Sequence, residues 1–293
     1  MIINKLQSYK ADLLLLSVAI AWGVTFLMVQ EAIDTTPVYS FLFFRFSLAS
    51  LIMFVLAYKF FRFFNMKTLL YGIILGIFLF SAFATQTFGL AYTSSSIVAF
   101  ITGLNVIVVP FLAYLLFKNT VKLNVFIATI LAVIGLYMLT MSGTLTFQKG
   151  EFLTLICAIL FALQIIFTGK FSKEVNVFLL VLIQLITVSV LSLIFSLGLD
   201  SATFDIPYDY AFFKAVIITA IFATVYAFLI QTYMQQFTTA TKTAIIFTME
   251  PVSAGVFGYF IANELLTSTQ LIGASIIIFA TLLAEIKLKK RNT

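Results

Sequence analysis

The chain has 293 residues, of which 62% are hydrophobic and only 10% charged, against roughly a quarter charged in soluble domains. With a mean hydropathy of +1.15 it carries more apolar surface than a core of its own can bury, so lipid must be the solvent for the rest. The single Cys157 excludes an intramolecular disulfide and the absence of His removes imidazole metal sites and His-assisted nucleophiles, while the net charge of +6 reads as a marker of membrane side rather than of nucleic acid.

Apolar stretches long enough to cross a bilayer predict ten transmembrane helices, with cores at 13–30, 38–58, 68–90, 96–116, 124–142, 152–169, 177–197, 215–234, 243–262 and 270–284. Strands of a β-barrel would be half as long and would alternate polar with apolar residues. The first run lacks a small-residue cleavage pattern and leads into nine more spans, so it reads as a first helix and not a signal peptide. The fold class is therefore an all-α integral membrane bundle. Placing the N-terminus inside collects Lys5, Lys10, Lys59, Arg62, Lys67, Lys118, Lys122, Lys170, Lys173, Lys242, Lys287, Lys289, Lys290 and Arg291 on the cytoplasmic side, and leaves Lys149 and Lys214 outside. That asymmetry predicts a multi-pass protein of the cell membrane with both termini cytoplasmic. Asp200, Asp205 and Asp209 fall in the longest outer loop and are expected to be solvated surface.

An internal repeat runs through the chain. At an offset of 145 residues Phe83 meets Phe228, Gln86 meets Gln231, Thr87 meets Thr232, Thr93 meets Thr238, Ala99 meets Ala244 and Tyr114 meets Tyr259; at an offset of 139 Ala19 meets Ala158, Trp22 meets Phe161 and Arg45 meets Gln184. Residues 1–142 and 151–293 thus form two five-helix repeats joined by a linker at 143–150. Five is odd, so the second repeat enters the membrane from the opposite side, a plan suited to exchanging inward-open and outward-open states around one central site.

Polar side chains at mid-span depth are the candidates for that site. Asn105 and Glu250 occupy equivalent positions of the two repeats, and a Glu at this depth costs on the order of 3 kcal/mol. Glu250 either handles substrate or a proton, or caps amides freed by Pro251, or pairs with an Arg. Arg45, the one basic residue well inside a span, binds an anionic group, neutralises Glu250 or snorkels outward. Trp22 and Thr25, with repeat partners Phe161 and Gln164, share one helix face, and Gln86 and Gln231 add neutral hydrogen-bonding groups; each has interhelical packing as its alternative. Pro251 and Pro110 are expected to kink their helices, and Cys157 reads as an apolar filler. The 35 Phe and 12 Tyr carry no site information as a class. No phosphate-binding loop and no paired carboxylates of a two-metal or glycosidase site are present.

The stretches SSSIVAFITGLNVIVVPFLAYLLFKN at 94–119 and TTATKTAIIFTMEPVSAGVFGYFIANELLTSTQLIGA at 238–274, with AWG at 21–23, resemble the paired halves of the drug/metabolite transporter superfamily, specifically its EamA-type ten-helix exporters. Glu250-Pro251, Asn263-Glu264-Leu265 and Gly273 are the most specific part; Asn119 stands where the second half has Glu264. The resemblance implies two inverted five-helix repeats, a cavity lined mainly by helices 1, 3, 4, 6, 8 and 9, and export of small metabolites, amino acids being a common class. The expected function is secondary active transport by alternating access, with no enzymatic activity and no cofactor. An antiporter of phosphorylated sugars or nucleotide sugars is the alternative, and an integral membrane enzyme a more distant one. The expected partners are a small-molecule substrate, the lipid bilayer and a coupled proton, with no nucleic acid, in a monomer or homodimer.

Overall fold

A computed structural model describes residues 2–93, 95–118, 121–140, 148–200, 204–262 and 267–285. Asn119, Asn263, Glu264, Leu265 and the basic tail from Lys287 to Arg291 lie outside them. The regular elements among the described residues are all helices: α1 (Ile2–Ile33), α2 (Val38–Ala57) with a 3-10 turn (Tyr58–Phe63), α3 (Met66–Tyr92), α4 (Ser95–Gly103), α5 (Asn105–Phe117), α6 (Leu123–Thr140), α7 (Lys149–Phe171), α8 (Val177–Leu199), α9 (Tyr210–Ala220), a π segment (Ile221–Tyr226), α10 (Ala227–Met234), α11 (Ala240–Phe247), α12 (Met249–Ala262) and α13 (Ser268–Glu285). Because α4–α5, α9–α10 and α11–α12 are interrupted rods, these elements make ten rods among the described residues. Six of the described segments are apolar and long enough to span a bilayer unaided, and Leu123–Leu139 and Ser268–Ala284 are shorter apolar helices.

The packing repeats itself between the halves. α1 lies on α12 and α11 as α7 lies on α5 and α4; α2 packs on α8, α6 on α13, and α3 bridges α7 and α8 while the α9–α10 rod bridges α1 and α2. Apolar side chains fill four clusters between these rods, around Phe41, Phe46 and Phe228, around Leu15, Val109 and Ile246, around Leu136, Ile245 and Ile277, and around Leu75, Phe171 and Leu180. Leu51, Phe111, Leu115, Phe260, Phe279 and Leu282 remain exposed on the outside, the surface that hydrocarbon covers.

Two expectations are corrected by local structure. Pro110 sits inside α5, and the break in that rod falls six residues earlier at Leu104 (φ −62, ψ −9). Leu104 donates to both Phe100 and Ile101 carbonyls, a tightened turn that ends α4 without any proline. The matching break at Thr248 (φ −65, ψ −8) does precede Pro251, the third residue of α12, in the first turn where its missing N–H is not needed. Asp200 is not merely solvated surface. Helix α2 begins after Pro37, which offers no side-chain cap; the Asp200 carboxylate accepts instead from the Ser40 N–H and Oγ, both at 2.8 Å, and from Ser196 Oγ at 3.0 Å. It thereby ties the start of α2 to the end of α8. Asp209 caps α9 by accepting from the Phe212 N–H at 2.8 Å.

Candidate functional site

At the centre of the bundle α1, α2, α3, α4, α5, α7, the α9–α10 rod, α11 and α12 surround a cavity. Trp22, Thr25, Arg45, Gln86, Asn105, Gln164, Gln231 and Glu250 all line it. Six pairs of repeat-related positions meet there: Trp22 with Phe161, Thr25 with Gln164, Phe83 with Phe228, Gln86 with Gln231, Thr102 with Phe247, and Asn105 with Glu250. The last pair follows from the broken rods. Asn105 opens α5 and Glu250 is the second residue of α12, so each stands at a helix N-terminus inside the bundle, where unpaired amides and the positive end of the dipole face the cavity.

Arg45 is 3% exposed, and its position follows from the π segment. Widening the turn at Ile221–Tyr226 frees the Ala223 carbonyl, which accepts from Trp22 Nε1 at 2.9 Å and from Arg45 Nη2 at 3.3 Å. Thr224 turns its hydroxyl to the Thr219 carbonyl five residues back at 2.9 Å and accepts from Arg45 Nε, also at 2.9 Å. The guanidinium lies 4.8 Å from the Phe83 ring centre, within cation–π range. Arg45 therefore does not snorkel, and it forms no ion pair with Glu250. The Glu250 carboxylate has no hydrogen-bond or ion-pair partner among the described residues. One fixed cation and one uncommitted carboxylate thus share the cavity.

Its walls are aromatic. Trp22 meets Phe247 edge-on at 4.8 Å and Phe228 at 5.8 Å, and Phe83 meets Phe161 edge-on at 5.4 Å. Amide groups interrupt the rings: Gln86 Nε2 donates to Thr102 Oγ1 at 3.4 Å, and Gln231 Nε2 to Gln164 Oε1 at 3.0 Å. Thr25 turns its hydroxyl back to the Ala21 and Trp22 carbonyls. Close helix approach sets the floor beside Glu250. A β-carbon at Gly23 would fall 2.5 Å from the Glu250 carbonyl oxygen and 2.8 Å from the Ala254 nitrogen, so only glycine lets α1 touch the start of α12. Sequence reasoning missed Phe83, Thr87, Thr102, Phe228 and Phe247, because single aromatic or Thr residues in apolar helices do not announce which side they face. The repeat could have found Phe83 and Phe228, which coincide beside the Gln pair.

The profile of the EamA-like transporter family matches residues 9–141 and 148–285. An uncharacterized transporter of Archaeoglobus fulgidus is 31% identical over 277 residues, covering 94% of this chain and 86% of that protein. A protein of known crystal structure superposes with a TM-score of 0.78 over 94% of this chain and 96% of its own, at 12% identity, which is a likeness of fold alone.

Proposed function

Starting from the fact that the chain belongs to the EamA-like transporter family, and so is a membrane transporter of small solutes, we propose that it exports neutral amino acids or closely related zwitterions by alternating access. The observation that carries this reading is the coexistence of Arg45 and Glu250 in one cavity without a bond between them. Arg45 offers a planar donor set to a carboxylate, and Glu250 an acceptor for an ammonium group. Trp22, Phe83, Phe228 and Phe247 suit an apolar side chain between those poles. A phosphorylated sugar or nucleotide sugar would call for several cations, and Arg45 is the cation among the described lining residues.

Alternating access draws support from the pseudo-symmetric lining, since equivalent residues from two halves can exchange environments around a fixed site. Proton coupling is assigned to Glu250, whose carboxylate has no competing partner. The charge asymmetry of the loops supports an orientation with both termini in the cytoplasm.

Thermal unfolding of the purified protein against a panel of amino acids, sugar phosphates and nucleotide sugars tests the substrate class, since a solute that binds the folded state raises its apparent stability. Counterflow of the radiolabelled hits in proteoliposomes then tests transport. Stabilisation by neutral amino acids with counterflow supports the reading; stabilisation by sugar phosphates alone replaces it with the antiporter.

A further inference from the structure

The cavity is lopsided with respect to the repeat. In the first half it extends beyond Thr25 and Gln86 to Val29 and Leu90, one turn further toward the end of the bundle where α1 finishes. The repeat mates of those two residues are Thr168 and Gln235, one turn beyond Gln164 and Gln231 toward the end where α1 begins. Both are fully buried and neither reaches the cavity. The α1–α3 side is thus open at a level where the α7–α10 side is shut.

The shut seam differs chemically from its open mate. α7 with its C-cap presents Gln164, Thr168 and Ser172 at four-residue spacing, hence along one face, and α10 with its C-terminal turn presents Gln231 and Gln235. None of the five is more than 1% exposed. Long amides span the gap: Gln231 donates to Gln164 at 3.0 Å and to Gln235 Oε1 at 3.3 Å, Gln235 to the Ile165 carbonyl at 3.0 Å, and Gln236 to the Ser172 carbonyl. Even so, Gln164 Nε2, Thr168 Oγ1, Ser172 Oγ, Gln231 Oε1 and the neighbouring Thr232 Oγ1 have no hydrogen-bond partner among the described residues. Folded proteins seldom leave buried polar atoms unpaired; Gln184 and Ser192 of α8 are unpaired among the described residues as well, but the seam is where such groups continue the line of the cavity wall. A β-carbon at Gly169 would lie 3.7 Å from Gln235 Nε2, ordinary contact, in contrast to the collision at Gly23. At the same end of the bundle Lys242 of α11 and Asp12 of α1 form a 2.7 Å ion pair whose side chains are 14% and 11% exposed.

We propose that the α7–α10 seam is the second half of the translocation path, shut in this conformation. Its hydroxyls and amides line the opening toward the end where α1 begins, and the Asp12–Lys242 pair latches that opening. The seam suits a polar, hydrogen-bonding solute travelling with water, whereas Val29 and Leu90 give the other half an apolar lining. The proposal rests on the transporter reading above, and deepens it by assigning residues to the half of the path that the cavity does not reach.

The test uses the full-length protein with Cys157→Ala, carrying either Thr168→Cys or Val29→Cys, in membrane vesicles of both orientations. A charged, impermeant methanethiosulfonate is the probe. Thr168→Cys should react only from the side on which the N-terminus lies, and Val29→Cys only from the opposite side. Adding Asp12→Asn should raise the first rate at least fivefold and lower the second. Thermal unfolding checks each variant; should Thr168→Cys not fold, Ser172→Cys, one turn further along the seam, carries the same expectation. A folded seam cysteine that stays unreactive from both sides in both backgrounds overturns the proposal, as does acceleration of both rates by Asp12→Asn. Amino-acid counterflow measured on the same vesicles separates the two readings: exchange without seam labelling refutes the seam and leaves the transporter, whereas reciprocal labelling without exchange supports the seam and refutes the substrate class.

Discussion

Arg45 and Glu250 line one cavity, yet the guanidinium spends its hydrogen bonds on Thr224 Oγ1 and the Ala223 carbonyl and leaves the carboxylate alone. The two residues should therefore respond unequally to neutralisation. Arg45→Gln removes bonds from a charged donor and should cost about 2 kcal/mol, whereas Glu250→Gln removes no protein partner and should cost less than about 1 kcal/mol. Unfolding of both variants in detergent measures the difference. Glu250→Gln should also abolish proton-driven accumulation while leaving solute exchange, which needs no net proton movement. Equal destabilisation would mean that the two charges act as a pair after all.

Gly23→Ala should destabilise by about 1–3 kcal/mol, the range for overpacking, because the new methyl meets the backbone of α12. Gly169→Ala, with room for its methyl, is the control and should unfold within a degree or two of the parent protein.

Asp200→Ala should lower stability by about 1–2 kcal/mol, as loss of a charged cap does, since the start of α2 has no other side chain to receive its amides. Asp205→Ala, on an exposed residue of the same loop, should change nothing measurable. Equal effects at the two positions would show that the loop acts only through its total charge.

Outside the spans, Glu174 accepts from Tyr71 at 2.9 Å and pairs with Lys67 at 2.6 Å, and the Lys67 ammonium holds its carboxyl below the usual carboxylate value. A depressed folded value means that the contribution is complete above the unfolded value and fades as pH falls through the folded one. The difference in melting temperature between the parent protein and Glu174→Gln should therefore be constant near neutrality and vanish in acid. A difference that grows on acidification would contradict the assignment. Because both partners are substantially exposed, added salt should shrink it as well.

Asp205→Cys should label with an impermeant thiol reagent in intact cells, and Lys59→Cys only after permeabilisation. The reverse pattern would invert the orientation drawn from Lys and Arg.

The cavity was legible from the sequence to the extent that polar atoms at mid-span depth have nowhere else to go. Gln86, Gln231, Asn105 and Glu250 could be found because each repeat supplies the other's equivalent, and a polar coincidence in apolar helices is rarely accidental. Phe83 and Phe247 were not singled out, since hydrocarbon and cavity accept a phenyl ring equally well. Lys242 counted only as one more basic loop residue, because an ion pair to Asp12, 230 positions away, has no local signature. The role of Asp200 was hidden for a similar reason: the Ser40 donors on α2 become its neighbours only when α2 packs on α8. The break at Leu104 was missed because a proline nearby offered a simpler cause.

The widened turn at Ile221–Tyr226 sets the rotational phase of α10. Each residue of an α-helix advances about 100° around its axis, so an extra residue taken up in one turn swings the remainder of the rod through that angle. Phe228 and Gln231 face the centre, and Tyr233 the outside, with this rotation included. Deleting one residue from the segment would restore a regular helix of the same hydropathy, carry Phe228 and Gln231 around the axis away from the cavity, and withdraw the Ala223 carbonyl from Trp22 and Arg45. Azimuth, rather than depth or polarity, is what this turn contributes to the site.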